Sequence, residues 1–529
     1  MTIFIFLVFS YILFSISLMK VFEKAGEPGW KGLVPGLNFI VMCKLVGRKS
    51  AHAAWLLVPI VNIFIFVGLC VDVVRSFGKY KFHHSALAVI YAPAIFFYLG
   101  YSPKEKYLGK TIDAELAYRE KLEEARKANN ARQYQKLVRE NPYKKSSTRE
   151  WAEAIIFAVF AAAFIRMFLI EAYTIPTSSM EGSLKVGDFL FVSKAHYGIR
   201  TPKTVLMLPL LHNRVPFIGG ESYISNPNLP FSRLPALTDV KRFDPVVFNY
   251  PEGDSVYVFP ERTWSVYDYR RGAISRERYM QIKGGQGELV VRPIDKKDHY
   301  IKRCIGLPGD SLKVVNRQVY LNNQPAQNPK NMQFLYQISS SGSAINPEQL
   351  DDWGVNLTES NPEAGIFFLD STQVENIRKL GADVKVELYP QQPPPPNHLF
   401  PHDPVNFPGW TVDNYGPVWI PKKGAAVQIS PENIALYERI IGVYEGNKLE
   451  KKDGKIFING QEATSYTFKM NYFWMMGDNR HNSEDARVWG FVPENHIVGK
   501  PLFIWFSTKN GSIGNGINWS RLFTSANKM

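Results

Sequence analysis

Residues 154–180 read AIIFAVFAAAFIRMFLIEAYTIPTSSM, and this stretch separates two kinds of sequence. Its first part, Ala154 to Ile170, is apolar apart from Arg166 and is close to the roughly 20 residues that a helix needs to cross a bilayer. Arg166 lies near one end of the run, where a long cationic side chain can extend to the membrane surface. We therefore predict a transmembrane anchor over 151–171.

Downstream of residue 172 the sequence is typical of β-structure. Short apolar runs such as 189–192 (FLFV), 246–248 (VVF) and 457–458 (FI) are separated by Gly, Pro, Asn and Asp. The run of prolines at 390–396 is typical of a surface loop or a polyproline segment. We predict a mainly-β domain of Greek-key or barrel kind over 172–529.

Three further apolar runs lie upstream of the anchor, at 1–19, 52–73 and 85–101, and Pro59 interrupts the second. The first run has neither the basic start nor the small-residue cleavage site of a signal peptide, which predicts a retained helix. We predict a membrane domain of about three helices over 1–101, hence a multi-span α-helical membrane anchor. Segment 102–150 is highly charged and has no Gly or Pro between 113 and Pro142, which predicts a solvated linker helix.

The charges of the loops predict an orientation in the membrane. Segments 20–50 and 102–150 carry an excess of Lys and Arg, which is typical of cytoplasmic loops. Four spans then place the β domain on the periplasmic, extracytoplasmic side of a multi-pass cytoplasmic-membrane protein. Loop 74–84 is also basic but falls outside in this topology, so it is the weakest point of the prediction.

The overall composition excludes several classes of function. We attribute the net charge of +14 to the membrane flanks, because no basic stripe interleaved with aromatic residues indicates nucleic-acid binding. The three cysteines form no CxxC or Cys/His pattern, so we expect no metal, no cofactor and no disulfide framework.

Two internal repeats are visible. LVPGLN at 33–38 returns as LVPIVN at 57–62, which predicts two hydrophobic hairpins broken by proline. Broken helices can line transport sites, but Asp72 is the only acidic residue that stands out there, which disfavours transport. IKRCIGL at 301–307 with VYLNNQ at 319–324 resembles YERIIGV at 437–443 with IFINGQ at 456–461, which predicts a strand, a Gly turn and a hairpin in both copies.

Four polar segments stand out from the β-like background. They are IPTSSM at 175–180, RFDPVVF at 242–248, YIKRCIGLPGD at 300–310 and MGDNRHNSEDAR at 476–487. Taken together and in this order, these segments resemble the motifs of bacterial type I signal peptidases, which are Ser/Lys serine proteases. The resemblance covers about 154–505, and the insertions at about 203–238 and 325–430 resemble those of Bacteroidetes-type members.

The resemblance implies a role for each matching residue. Ser179 corresponds to the nucleophile and Lys302 to the general base, which must be neutral to accept the serine proton. Thr177 and the backbone N–H of Ser179 correspond to the oxyanion hole, and Ser483 to the group that orients the lysine. Three further residues correspond to structural supports of the last motif: Asp478, Asp485 and Arg487.

The resemblance also implies how a substrate is bound. Secretory preproteins with small residues at −1 and −3 would bind as an extended strand beside the lipid surface. The residues that correspond to the −1 pocket are Met180, Leu184, Tyr300 and Ile301. Those that correspond to the −3 pocket are Tyr173, Ile175 and Ile301. The alternative for each is an ordinary place in the β core.

Some positions depart from the family pattern. Ser178 stands where the family often has glycine, and Ala486 stands where it usually has serine. In the second motif, Phe243 and Pro245 stand in place of the usual Gly and Ile. None of these removes a catalytic group. We expect His196, His299 and His481 to be exposed and without a catalytic role. The alternatives to a signal peptidase are a non-catalytic membrane scaffold that binds exported chains and a self-cleaving Ser/Lys regulator.

Overall fold

The structure is a computed structural model that describes residues 2–57, 61–144, 147–215, 220–259, 262–272, 274–341, 346–392, 395 and 397–527. The chain divides into two compact units, Met1–Ala158 and Val159–Met529. Pro59, which interrupts the second apolar run, lies outside the described residues, as do Pro393, Pro394 and Pro396 of the proline run.

The first unit is helical. Its helices are α1 Thr2–Lys24, α2 Leu37–Val46, α3 Val61–Arg75, α4 Phe82–Tyr101, α5 Thr111–Lys127, α6 Ala131–Glu140 and α7 Ser147–Phe168, the last of which continues into the second unit. Buried apolar side chains of α1 to α4 form its core. Among the described residues, α4 and α7 are long and apolar enough to cross a membrane by length and composition.

Along the apolar run 52–73, Ser50–Leu57 forms a 3₁₀ helix and α3 begins at Val61. One prediction for this unit needs correction. Segment 102–150 holds two helices, α5 and α6, rather than one. Asn129 adopts a left-handed φ of 51°, and the Asn130 side chain caps α6 by accepting from the Gln133 N–H. An Asn pair thus separates the helices without Gly or Pro.

The second unit is built on an antiparallel sheet, which confirms the mainly-β prediction. Its strands are β1 Ile170–Thr174, β2 Asp188–Ser193, β5 Pro245–Asn249, β9 His299–Gly306, β22 Tyr472–Met476, β23 Val492–Pro493, β24 Ile497–Ser507 and β25 Thr524–Ser525. They lie in the order β1-β2-β24-β5-β9-β22-β23, with β25 paired to β24. Because β24 lies between β2 and β5, strands far apart in sequence become neighbours.

Smaller sheets surround this one. Two of them have two strands each: β3 Thr204–Met207 with β4 Tyr223–Asn228, and β17 Ala426–Gln428 with β21 Ser465–Thr467. Three have three strands each: β6 Ser255–Val258 with β7 Thr263–Ser265 and β8 Glu288–Val291; β13 Phe334–Ser340 with β14 Ile366–Leu369 and β15 Val384–Leu388; and β18 Leu449–Lys452 with β19 Lys455–Ile458 and β20 Gln461–Glu462. One has four strands: β10 Ser311–Val315 with β11 Gln318–Leu321, β12 Gln324–Pro325 and β16 Tyr415–Trp419. Short helices accompany them: α8 Val266–Arg271, α9 Arg276–Lys283, α10 Pro347–Asp352, α11 Ser371–Arg378, α12 Ile434–Arg439 and α13 Ala486–Trp489.

The chain leaves the main sheet in three places. Segment 203–238 contributes the β3–β4 pair, and 325–430 contributes the three-stranded sheet β14-β13-β15 with α10 and α11. A third excursion, 251–298, holds β6, β7, α8, α9 and β8 between the paired strands β5 and β9. The sequence analysis missed the third excursion, because its apolar runs look like those of the strands around it.

The prediction from the downstream repeat, 301–324 and 437–461, is confirmed for the hairpins and wrong for the strand of the second copy. Both hairpins form, and their turns place Asn322-Asn323 and Asn459-Gly460 at positive φ, as tight two-residue turns require. Segment 437–443, however, is the end of α12 and the π-helical turn Ile440–Tyr444 rather than a strand. Tyr437, Ile440 and Ile441 are buried in the core of the domain, and no strand pairs with the segment among the described residues.

Candidate active site

Ser179 lies in a 3₁₀ turn that follows the first strand of the sheet. The turn spans Ser178–Met180, and Thr177 precedes it in extended conformation. Met180 is fully buried and anchors the turn in an apolar cluster. Backbone bonds from Leu184 to Met180 O (2.9 Å) and from Ile175 to Asp188 O (2.9 Å) hold both ends of the loop. The nucleophile candidate is therefore placed on a supported loop.

Lys302 reaches this turn from β9. Its Nζ donates to Ser179 Oγ at 2.7 Å and to Ile301 O at 3.1 Å. The lysine is 4% exposed, and this burial lowers its pKa to about 8, although Asp485, Glu484 and Asp478 act in the opposite direction. Burial disfavours the ammonium because the low-dielectric surroundings solvate charge poorly. At a pKa of about 8 roughly a tenth of the amine is neutral at pH 7, and the neutral form is the one that can act as a general base.

Ser483 reaches the same loop through a close approach at Gly477. A Cβ at position 477 would lie 2.2 Å from Ser483 Oγ and 2.5 Å from Ser179 O, so only glycine fits there. The Ser483 hydroxyl is buried and has no hydrogen-bond partner among the described residues. The hydrogen bonds described for the Lys302 ammonium do not include Ser483, so its predicted orienting role stays a prediction.

Two buried ion pairs hold the 477–487 loop. Arg303 and Asp478 are both fully buried and pair through two bonds of 2.8 and 2.6 Å. Asp485 accepts from Arg487 Nε at 2.9 Å, from Arg487 Nη2 at 2.7 Å and from the Gly477 N–H at 3.1 Å. Burial opposes ionisation of Asp485, but the Arg487 guanidinium lowers its pKa. These three residues are thus buried partners of ion pairs, and their role as supports of the site stays a prediction.

The structure gathers five of the predicted pocket residues into one apolar cluster: Tyr173, Ile175, Met180, Leu184 and Ile301. Tyr300 is not among them. Its ring stacks on Tyr250 with centroids 4.6 Å apart, and Lys302 Nζ lies 5.5 Å from its centroid. Alternation along β9 explains this, since neighbouring residues of a strand point to opposite faces.

The prediction that the three histidines are exposed is wrong, because each is partly buried. His196 contacts Ser193 Oγ at 2.7 Å, and His481 contacts Asp413 Oδ1 at 2.8 Å. The His299 ring packs between Tyr173 (5.0 Å) and His212 (4.6 Å). Packing from elements distant in sequence covers them, which residue type alone does not reveal.

The sequence analysis also missed Glu484. Burial is the main cause that raises its pKa to about 7, with Asp268 adding to the effect. Its charge acts on the Lys302 ammonium. The sequence signal that could have indicated Glu484 was its position between Ser483 and Asp485, two residues already assigned to the site.

Two strand edges beside this site have no neighbouring strand among the described residues. Strand β1 pairs only with β2. Residues 299–302 of β9 pair with β5 on one side, whereas β22 pairs only with 303–306 on the other. An extended peptide can add to free edges of this kind. Of the described residues, no group of three or more His, Cys, Asp or Glu side chains is placed to hold a metal ion.

A serine hydroxyl that is hydrogen-bonded to a lysine amine occurs in several classes of peptidase, and comparison with known proteins decides between these classes. The profile of the family described as "Signal peptidase, peptidase S26" matches residues 148–370 and 465–506. The chain belongs to this family. It is therefore a serine peptidase of the signal peptidase type, and the Ser179–Lys302 pair lies within the matched residues.

Curated relatives of this signal peptidase family member carry the same family name. Signal peptidase I of Buchnera aphidicola subsp. Baizongia pistaciae is 22% identical over 391 residues, which cover 72% of this chain and 84% of the relative. Signal peptidase I of Helicobacter pylori strain 26695 is 24% identical, covering 68% and 80%. That of Haemophilus influenzae is 23% identical, covering 70% and 74%. A second profile, of a family of unknown function (DUF5684), matches residues 30–110.

Proposed function

We propose that this chain removes N-terminal signal peptides from exported preproteins, with Ser179 as nucleophile and Lys302 as general base. The observation that supports this most directly is the 2.7 Å contact between Lys302 Nζ and Ser179 Oγ at a lysine whose pKa burial lowers to about 8. The same family membership that makes the chain a peptidase supports signal peptides as the substrate.

In the proposed reaction the neutral Lys302 amine accepts the Ser179 hydroxyl proton as Oγ attacks the carbonyl carbon at position −1. Thr177 and the Ser179 N–H stabilise the oxyanion that forms, a contribution typically worth about 2.7–4 kcal/mol per donor. The Lys302 ammonium then donates its proton to the departing amine. Water, deprotonated by Lys302, hydrolyses the acyl-enzyme. We assign Ser483 the role of orienting Lys302 during these transfers.

The signal peptide is proposed to bind as an extended strand between the free edges of β1 and β9. The apolar cluster of Tyr173, Ile175, Met180, Leu184 and Ile301 lies beside these edges and supports pockets for small residues at −1 and −3. Alternate side chains of a strand point to the same face, which suits a preference at −1 and −3.

The active site is proposed to lie at the extracytoplasmic membrane surface. The apolar helix α7 ends at Phe168, and Ser179 follows Ile170 by nine positions, which span at most about 30 Å. Aromatic residues of β2 and β24 also form a contiguous face, in which Phe191 contacts Phe503 and Trp505. Phe523 beside it is 75% exposed, as a lipid-facing residue would be.

The remaining organisation stays a proposal as well. It consists of a membrane domain over 1–101, a charged cytoplasmic linker over 102–150, an anchor over 151–171 and the peptidase domain over 172–529. The Lys and Arg excess of 20–50 and 102–150 supports the orientation.

The test is cleavage of a preprotein whose signal ends in Ala-x-Ala, in detergent, by the wild type, Lys302→Ala and Ser179→Ala. We expect the wild type to release the mature protein and both variants to leave the precursor intact. A wild type that binds the precursor without cutting it at any pH would favour a membrane scaffold instead. Shortening of the enzyme itself, with the precursor intact, would indicate a self-cleaving protein.

A further inference from the structure

The 325–430 insertion packs directly on the two loops that form the catalytic site. Gln333 donates its N–H to Asp478 O at 2.9 Å and accepts from the Arg480 N–H at 2.9 Å, so it pairs with the 477–487 loop like a short strand. Asn331 Nδ2 donates to Gly182 O at 3.1 Å, next to the turn that carries Ser179. The insertion therefore forms part of the wall of this site.

A local turn in the insertion places one carboxylate at that wall. The Asn356 side-chain oxygen accepts from the N–H groups of Thr358 at 3.1 Å and Glu359 at 3.3 Å, and its backbone oxygen accepts from Ser360 Oγ at 2.7 Å. The Asn356 side chain also acts on the buried Glu181 carboxyl, two residues after Ser179, and opposes the rise in its pKa that burial causes. An Asx turn of this kind fixes the direction in which the following residue leaves the loop.

Glu359 is thereby held close to the nucleophile. Its Oε2 accepts from Asn482 Nδ2 at 3.3 Å, and Asn482 Nδ2 also donates to Ser178 Oγ at 2.9 Å. The carboxylate is thus two hydrogen bonds from the residue that precedes Ser179. Glu359 is exposed, and among the described residues no Lys or Arg forms an ion pair with it. Its charge is available to a bound chain.

The direction of the substrate decides which part of it meets this carboxylate. The proposed −1 pocket lies at Met180, and the −3 pocket lies toward Tyr173 along β1. Ser178 and Asn482, which link Glu359 to the site, are not among the residues proposed to line these two pockets. Glu359 is therefore placed to meet the chain beyond the cleavage point, at +1 and +2.

We propose that Glu359 forms an acidic subsite for the first residues of the mature protein, favouring Lys or Arg and disfavouring Asp or Glu at +1 and +2. This inference rests on the proposed function and extends it to the other side of the scissile bond. A charge pair at a solvated surface changes kcat/KM by about 3- to 10-fold and weakens with salt.

The test compares two preproteins that share one signal and differ only in Lys-Lys or Asp-Asp at +1 and +2. We expect kcat/KM for the Lys-Lys form to exceed that for the Asp-Asp form by about 3- to 10-fold at low salt. Glu359→Gln should reduce this ratio toward one, and Glu359→Lys should invert it. Glu375→Gln, which changes an exposed carboxylate of the same insertion on α11, should leave the ratio as it is.

The ratio is independent of the active fraction of each preparation, so partial misfolding of a variant does not imitate the effect. If the wild type cleaves neither preprotein, the proposed function fails. If it cleaves both and the ratio is the same in wild type, Glu359→Gln and Glu359→Lys, the acidic subsite is wrong while the proposed function stands.

Discussion

The reactivity that we propose for Ser179 depends on one neighbouring amine. A lysine normally titrates near 10.4, at which only a very small fraction is neutral at pH 7. Burial of Lys302 lowers its pKa to about 8, and the carboxylates of Asp485 and Glu484 limit how far it falls. The pKa of this base therefore results from opposing effects of burial and charge.

The first prediction concerns pH. The ammonium form cannot accept a proton, so kcat/KM should rise with pH through about 8 and level off above it. Glu484→Gln should move this limb to lower pH, because its carboxylate, with a pKa raised to about 7, is ionised at pH 8 and stabilises the ammonium. The measurement is the pH profile of kcat/KM with one preprotein.

Glu375→Gln is the matched control, since it removes an exposed carboxylate and should leave the limb unchanged. A limb that moves to higher pH in Glu484→Gln, or that does not move, would contradict this account of how Lys302 is tuned.

Among the elements, the 477–487 loop determines the geometry of the site. Its backbone is held by the Arg303–Asp478 and Asp485–Arg487 pairs, and the Asn479 N–H donates to Ser179 O at 3.2 Å. Removing one partner of a buried ion pair commonly costs about 3–5 kcal/mol, so these pairs are effective supports. The loop so held approaches the turn that carries Ser179 closely at Gly477.

The second prediction tests that close approach. Gly477→Ala puts a methyl group 2.2 Å from Ser483 Oγ and 2.5 Å from Ser179 O, so the two loops must separate. A displacement of about 1 Å at a catalytic centre can cost about 100-fold in rate, and we expect a loss of kcat of that order. Cleavage kinetics and the melting temperature should be measured together.

The control is Gly442→Ala, at a glycine whose nearest atom to an added Cβ is 4.0 Å away. It should retain wild-type kcat. Full activity of Gly477→Ala would mean that the loops tolerate a separation that the proposed geometry does not allow.

At the scale of the whole molecule, the Ser179–Lys302 pair and the helical part of the chain belong to different units. The residues that contact Ser179, Lys302 and Ser483 all lie within Val159–Met529. The first unit, Met1–Ala158, has an apolar core of its own.

The third prediction follows from this division. A chain that lacks residues 2–146 but keeps α7 should cleave a detergent-solubilised preprotein with kcat/KM within about threefold of the full chain, equivalent to about 0.65 kcal/mol. Circular dichroism checks that the shortened chain is folded. A folded variant with a tenfold or larger loss would show that the first unit contributes to the reaction.

Local features of this protein could be predicted from its sequence because they depend on neighbouring residues. Asn322-Asn323 and Asn459-Gly460 form tight turns because Asn and Gly adopt positive φ readily. Segment 437–443 resembles the β9 sequence yet is helical, because its surroundings bury it without offering a strand partner. Similar residues therefore took different structures in different packing environments.

The sequence by itself determined an apolar helix, a mainly-β domain and the residues from which a Ser/Lys site could be made. Tertiary structure alone decided that Ser179 and Lys302, 123 positions apart, lie in contact, and that Tyr300 stacks on Tyr250 outside the apolar cluster of Ile301. It also placed Glu359 of the insertion beside Asn482. The physical reason is that strand pairing and burial, which set both position and pKa, depend on residues remote along the chain.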